Sequence, residues 1–249
     1  MSFEVAIPSH DRVQRLNRQT LRTLADGGVS RDRITVFVDE PELHIYKADL
    51  DPGLYGNLEP GGRLMREQYA AMEANYPDGT RLLCIDDDIK GIRQRVDPQN
   101  TIEMTDVNGL VQLLFGIAHD NGTRLWGLYP INNPFFMRPR TNVGLHFLIG
   151  QVYGMVVDHA EELRVRFPAK TDYERTLRWF RHDGAVTRFD FLAADSHMLA
   201  PGGLRAADRP DRTANNELAV DALLEEFPQF VRVKARPSKL GREIRLVMP

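Results

Sequence analysis

At 249 residues, with 42% hydrophobic and 27% charged side chains, the chain can bury a large core as one large domain or at most two small ones. Its formal net charge of −3 excludes a generally basic nucleic-acid binder, although a local basic face is compatible with it. A single cysteine, Cys84, excludes an intrachain disulfide framework and a cysteine-based zinc site, and no run approaches the ~20 apolar residues that span a bilayer.

The opening stretch MSFEVAIPSHDR has neither the basic start nor the long apolar run of a signal peptide, so a cytoplasmic protein is expected. FEVAIP reads as a short buried strand ended by Pro8. RVQRLNRQTLRTLADGG follows as one helix, with Val13, Leu16, Leu21 and Leu24 near helical spacing and a stop at Gly27 and Gly28. ITVFVDE is a β-branched strand closing on acids. RLMREQYAAMEANYPDG is a helix entered through Gly61 and Gly62 and stopped at Pro77. RLLCI is a third buried strand, with Cys84 as a packed core thiol, and it runs straight into Asp86, Asp87 and Asp88. Strands alternating with helices predict a parallel sheet covered on its faces, with ligands bound beyond the carboxyl ends of the strands.

The second half differs. TDVNGLVQLLFGIAHDNG predicts a capped helix, and RLWGLYP, VGLHFLIG and VYGMVVD predict strands added antiparallel to the sheet. TDYERTLRWFRHDG predicts a helix with Thr171 as N-cap and Glu174 completing a capping box. NELAVDALLEEFP is the last helix, and VRVKAR with REIRLVM reads as a C-terminal β-hairpin. The expectation is one mixed α/β domain over residues 1–249, with a central sheet flanked by helices.

The three aspartates carry the strongest chemical signal. On an extended segment alternate residues share a face, which would point Asp86 and Asp88 one way and Asp87 the other. Two carboxylates on one side of a strand end make a partial oxygen cage for Mg²⁺ or Mn²⁺, ions that complete their shell with water and phosphate oxygens. Asp87 would then tolerate substitution better than Asp88. Ser9 and His10 end the first strand, Arg12 opens the next helix, and Asp39 could accept hydrogen bonds from a base or ribose. Gly61 and Gly62 before Arg63 and Arg66 suit close approach of a diphosphate to a helix start. There is no G-K-[ST] phosphate loop and no G-x-G-x-x-G, which argues against a dinucleotide-cofactor enzyme.

Asp172 and Glu174 at a helix start fit either the helix dipole or, for one of them, a general base toward a hydroxyl. His182 and His197 are candidates for a third metal ligand. HMLAPGGLR suits a loop closing over a ligand, with Arg205 behind it. Arg232, Lys234 and Arg236 would share one strand face opposite Val231, Val233 and Ala235. Arg164, Arg166, Lys170, Arg175, Arg178 and Arg181 crowd an earlier segment. Such runs read either as solvated surface or as a phosphate-tracking groove.

Together IPSHDR, VFVDEPELHIY, GGRLMREQY, IDDDI, LWGLYPINNPFF…LIGQVYGM, TDYERTLR and PGGLR resemble the GT-A class of nucleotide-sugar glycosyltransferases. More narrowly, they resemble the TET-associated glycosyltransferases, phage-type enzymes that glycosylate 5-hydroxymethylcytosine in DNA. The resemblance implies a GT-A-like fold, a UDP-sugar donor, a divalent metal (Mn²⁺ or Mg²⁺) and a DNA acceptor, in the host-cell cytoplasm if phage-encoded. It places Pro8, Ser9, Arg12, Asp39, Arg66, Asp86 and Asp87 at the donor. Asp86 and Asp88 would be at the ribose and metal and Asp172 near the acceptor as base; the residues themselves add His197 as a candidate third metal ligand and Arg205, Arg232, Lys234 and Arg236 as a candidate DNA face. The usual Glu-Asp pair of GT-A enzymes is not present as such. Open alternatives are a glycosyltransferase for a protein or small molecule, a nucleotidyltransferase and a DNA-binding module.

Overall fold

In the computed structural model, which describes residues 2–196 and 211–248, a ten-stranded mixed sheet forms the centre of the molecule. β1 (Glu4–Ser9), β2 (Ile34–Val38), β3 (Asn57–Pro60) and β4 (Arg81–Ile85) are mutually parallel in the order β3-β2-β1-β4. β1, β2 and β4 are almost wholly buried runs, as a sheet covered on both faces requires, whereas the edge strand β3 is exposed or half-buried throughout. β1 extends one residue past Pro8, to Ser9.

Beyond β4 the sheet turns mixed. β9 (Val152–Val156) lies antiparallel between β4 and β7 (Leu125–Tyr129), and β10 (Val186–Ser196) runs parallel to β7. β5 (Ile89–Arg95) pairs antiparallel with β10 and carries β6 (Thr101–Glu103) at the edge, while β8 (Thr141–Gly144) pairs with the first half of β10. The predicted strand through 143–150 is therefore only β8, since Leu145 to Gly150 leave the ladder. The carboxyl ends of β1, β2, β3, β4, β7 and β10 all point to one edge of the sheet, by the parallel and antiparallel pairings above.

Helices cover both faces. The predicted first helix is two, α1 (Val13–Arg18) and α2 (Thr20–Asp26), broken at Gln19 where the backbone leaves helical angles. These two, α3 (Leu43–Asp49) and α5 (Val107–Asp120) pack with Val5, Ile7, Leu83 and Ile85 on one face. α4 (Met65–Ala74) and α6 (Thr171–Asp183) pack with Ala6, Leu82 and Cys84 on the other. The alternation along β1 and β4 is that of a strand buried on both sides. Cys84 is 2% exposed and burial pushes its thiol up to about 12. A disulfide-exchange reagent should leave the native protein unlabelled for the time in which urea-unfolded protein labels fully; labelling of both at one rate would contradict this packing.

α7 (Arg212–Glu226) and a separate two-stranded sheet, β11 (Val231–Val233) with β12 (Ile244–Leu246), close a third apolar cluster around Leu177 and Phe227. α6 does not begin as expected. Lys170, in the left-handed region at φ 54°, is its N-cap, and Thr171 lies inside the helix. Glu174 forms no capping box; it is fully buried and accepts from the backbone N–H groups of Arg166 and Phe167, both at 2.8 Å. No helix among the described residues is long and apolar enough to cross a membrane.

Candidate active site

The three aspartates lie at the carboxyl edge of the sheet, but not as an extended strand. β4 stops at Ile85, and Asp87 and Asp88 form a turn into β5. The turn is pinned from both sides. Asp86 N–H donates to the Gln151 carbonyl (2.9 Å), and Thr20 Oγ1 donates to the Asp86 carbonyl (2.7 Å) while accepting from Ile89 N–H (2.9 Å).

The consequence corrects the predicted orientation. Asp87 and Asp88, both 4% exposed, reach the same guanidinium: Arg12 Nη1 is 3.0 Å from Asp87 Oδ1 and 3.4 Å from Asp88 Oδ2. Asp86, half-buried, acts electrostatically on Tyr69 and Cys84 of the opposite face. Strand alternation separates Asp86 from Asp87 but fails at Asp88, because a turn does not keep the two-residue period. Asp87 is thus held inside the crevice, and the ground for its greater tolerance of substitution is gone.

A directed hydrogen-bond chain holds Asp87. Arg12 N–H donates to Tyr46 Oη (3.1 Å), and Ser9 Oγ donates to Asp87 Oδ2 (2.7 Å). The Ser9–Tyr46 contact of 2.8 Å then has one consistent direction, from the tyrosine hydroxyl to Ser9 Oγ. Burial still raises the Asp87 carboxyl above its ordinary range, with Arg12 and Ser9 opposing. Ser9→Ala would leave the buried Tyr46 hydroxyl without an acceptor and Asp87 Oδ2 without its donor. A loss of about 1–3 kcal/mol in urea denaturation is expected, and an unchanged midpoint would refute the chain.

Neighbouring strand ends complete the crevice. Pro8 and Ser9 pair with Phe37 and Val38 of β2, and the part-buried Asp39 follows directly. His10 meets Glu42 at 3.2 Å. On the other face, Asp172 in the first turn of α6 has its Oδ1 3.4 Å from Tyr69 Oη and 3.7 Å from Arg175 Nη2. Arg175 is buried with its guanidinium over the Tyr153 ring at 3.7 Å and the Tyr69 ring at 5.2 Å, packing on aromatic faces instead of forking onto a carboxylate. Gly150 makes room for this group, since a Cβ there would stand 2.7 Å from Asp172 Oδ1.

Other predicted residues fall elsewhere. Arg66 lines a surface groove of about 370 Å³ with Arg164 and Arg166, and no contact among the described residues joins it to the acidic turn. Gly61 and Gly62 are required by their own helix, because a Cβ at either would collide with Gln68 or Glu67. His182 sits at the far end of α6, between Asp183 (2.8 Å) and Arg124 (2.9 Å), away from Asp172. His197 and Arg205 lie outside the described residues; Ser196, just before His197, pairs with Ile89, just after Asp88.

The basic segments are mostly neutralised or spread. Arg178 is buried against Glu174 and Glu226, Arg181 pairs with Glu226, Arg166 with Glu161 and Lys170 with Glu243. Arg232, Lys234 and Arg236 are exposed, but β11 ends at Val233, itself 40% exposed, so no single strand face collects them. Arg232 donates to its own neighbours, the carbonyls of Pro228 and Val231.

The carboxylates of the acidic turn fit a hard divalent cation, because all their donor atoms are oxygens. Among the described residues no group of three His, Cys, Asp or Glu is arranged to hold a metal alone. A cation at Asp88 would share its coordination with water and phosphate oxygens, which is how Mg²⁺ commonly binds.

No family model and no curated protein matches the sequence. Solved structures do. S. aureus TarS aligns with a TM-score of 0.53 at 13% identity over 90% of this chain and 40% of that one. A mycobacterial protein gives 0.53 at 11% identity over 99% and 84%. Glucosyl-3-phosphoglycerate synthase from Mycobacterium tuberculosis, in complex with Mn²⁺, UDP and glucosyl-3-phosphoglycerate, gives 0.50 at 12% identity over 99% and 87%. The chain spans 59% of the TarS 1–349 structure it also matches. At these identities the likeness shows the fold, a mixed α/β architecture of the GT-A type.

Proposed function

We propose that the protein, working as one domain, is a metal-dependent glycosyltransferase. It moves a hexosyl or N-acetylhexosaminyl group from a UDP-sugar to the hydroxyl of 5-hydroxymethylcytosine in DNA. The observation that carries the donor half is the acidic turn, set at the carboxyl end of β4 beside Ser9, Arg12 and Asp39 in a fold shared with a synthase crystallised with Mn²⁺ and UDP. The DNA acceptor is supported by the motif resemblance.

Pro8, Ser9 and Asp39 line the nucleotide, and Arg12 faces the diphosphate across Asp87 and Asp88. Asp88 would hold the cation and Asp86, from the other side of the turn, the donor's ribose; the cation would neutralise charge on the departing nucleoside diphosphate. Asp172 Oδ takes the proton of the acceptor hydroxyl, with Tyr69 and Arg175 fixing its carboxylate. The acceptor base has to leave the duplex stack or arrive single-stranded to reach this edge.

The test is incubation of hydroxymethylated DNA with UDP-glucose or UDP-N-acetylglucosamine and Mn²⁺, followed by nucleoside mass spectrometry. A hydroxymethylcytidine nucleoside heavier by one sugar is the expected product. Unmodified nucleosides with every donor would overturn the acceptor assignment.

A further inference from the structure

One surface segment has no part in the donor site. After β7 the chain turns through Ile131 to Arg140, a segment tied by its own hydrogen bonds. Asn133 N–H donates to the Ile131 carbonyl (2.8 Å), Asn133 Oδ1 accepts from Phe135 N–H (3.0 Å), and the Asn133 carbonyl accepts from Phe136 N–H (3.0 Å). Met137 is fully buried as the anchor, and Arg138 N–H donates to the Asp190 carbonyl at 3.0 Å. This turn holds outward two aromatic rings and Ile131, itself 51% exposed. Phe135 is 65% and Phe136 47% exposed, stacked edge to face at 5.1 Å. A turn tied by its own hydrogen bonds that buries its methionine and presents two phenylalanines to water exposes apolar surface that a partner can cover.

The charge around the rings identifies the partner. Arg138 donates to the carbonyls of Phe135 and Met137, and Arg95 to that of Pro134 at 3.0 Å. Among the described residues neither guanidinium has a carboxylate within ion-pair distance, so both keep their charge beside the rings. Arg140, 64% exposed in its side chain, stands 3.6 Å from Asp190, which Arg188 already occupies at 2.6 Å. Aromatic faces beside Arg95 and Arg138, which lack carboxylate partners among the described residues, and beside Arg140, which shares Asp190 with Arg188, suit a chain of planar rings linked by anions. An apolar protein surface would strand the three arginines, and a neutral sugar would leave their charge unused.

We propose that the 131–140 turn is a stacking platform for unstacked nucleotides of a nucleic-acid strand. Position adds a second argument, which rests on the acceptor reading above. β5 begins at Ile89 next to Asp88 and ends at Arg95 under this turn, a rise of about 20 Å at ~3.3 Å per residue. No small acceptor touches both ends, whereas a strand of several nucleotides does. The platform therefore selects a polymeric acceptor over a free nucleoside.

The experiment is fluorescence anisotropy with labelled single-stranded DNA of about 4 and about 12 nucleotides and an abasic strand of the longer length, site sizes bracketing those of stacking grooves. It compares wild type with the Phe135→Ser/Phe136→Ser double variant. Wild type should bind the longer base-containing strand at least about tenfold more tightly than the abasic one, and the variant should lose about that factor. The short strand should be nearly indifferent to the change. Equal affinity of the two proteins for the long strand, or no preference for bases over abasic sites, overturns the platform. UDP binding with Mn²⁺, measured on both proteins, separates the two readings. If wild type binds no UDP, the glycosyltransferase reading fails while the anisotropy result still decides the platform.

Discussion

Asp88→Asn should abolish most sugar transfer, lowering it on the order of 100- to 1,000-fold, while leaving the fold intact. The substitution keeps volume and removes one charge from a turn in which Asp86, Asp87 and Asp88 follow one another. Arg12 retains Asp87 at 3.0 Å after losing the weaker contact to Asp88 at 3.4 Å, so the crevice keeps its tie. On the proposed reading the change removes a charged oxygen ligand, which an amide replaces poorly toward a hard cation. Excess Mn²⁺ should recover part of the activity. Transfer at the wild-type rate with an unchanged Mn²⁺ requirement would remove Asp88 from the metal site. Asp87→Ala should be costlier to stability, because it strips Ser9 and Arg12 of their shared acceptor in a buried place.

The largest stability effect is expected far from the chemistry, at Arg178→Ala. Arg178 is buried and joins three elements: its guanidinium meets Glu174 at 2.7 Å within α6 and Glu226 of α7 at 2.9 Å, and it donates to the Glu162 carbonyl at 3.2 Å. Glu174 has no exposure of its own, so truncating the arginine leaves a buried carboxylate with only the two backbone donors of Arg166 and Phe167. About 3–5 kcal/mol of unfolding free energy should be lost. Urea denaturation checks this, and a double replacement, Arg178→Met with Glu174→Gln, should recover a substantial part by removing the orphaned charge. A loss below about 1 kcal/mol for Arg178→Ala would mean the pair behaves like an exposed one. Since α6 also carries Asp172 in its first turn, activity should fall with stability.

The parallel half of the sheet was legible because β1, β2 and β4 are short buried runs bounded by turns, and burial on both faces leaves a strong compositional trace. β10 was not, although it is the longest strand. Val186 to Ser196 mixes Arg188, Asp190 and Asp195 into its apolar residues, and a register shift between Phe189 and Ala193 breaks its alternation. Glu174 misled as a capping residue because the S/T-x-x-E pattern says nothing of tertiary donors, and here two backbone N–H groups of a preceding loop compete for the carboxylate.

At the site, sequence order marked where strands end but not how the chain turns afterwards. The period-two rule placed Asp86 and Asp87 apart and then failed at Asp88, where the ladder had already stopped. Tyr46 and Tyr69 escaped attention as site residues although each closes a motif, ELHIY and REQY. Their hydroxyls matter only through partners 34 to 103 positions away, Ser9, Arg12 and Asp172. The run of arginines stayed open between solvated surface and phosphate groove because sequence spacing does not show that Glu226 answers two of them.

The central claim is that the acidic turn at the end of β4 binds a nucleoside diphosphate through a divalent cation. Titration calorimetry of UDP into the wild-type protein, with Mn²⁺ and then with Mn²⁺ chelated, tests it most directly. The prediction is binding that needs the metal and is lost in Asp88→Asn. UDP binding of equal affinity with and without Mn²⁺, or none in either condition, would contradict it.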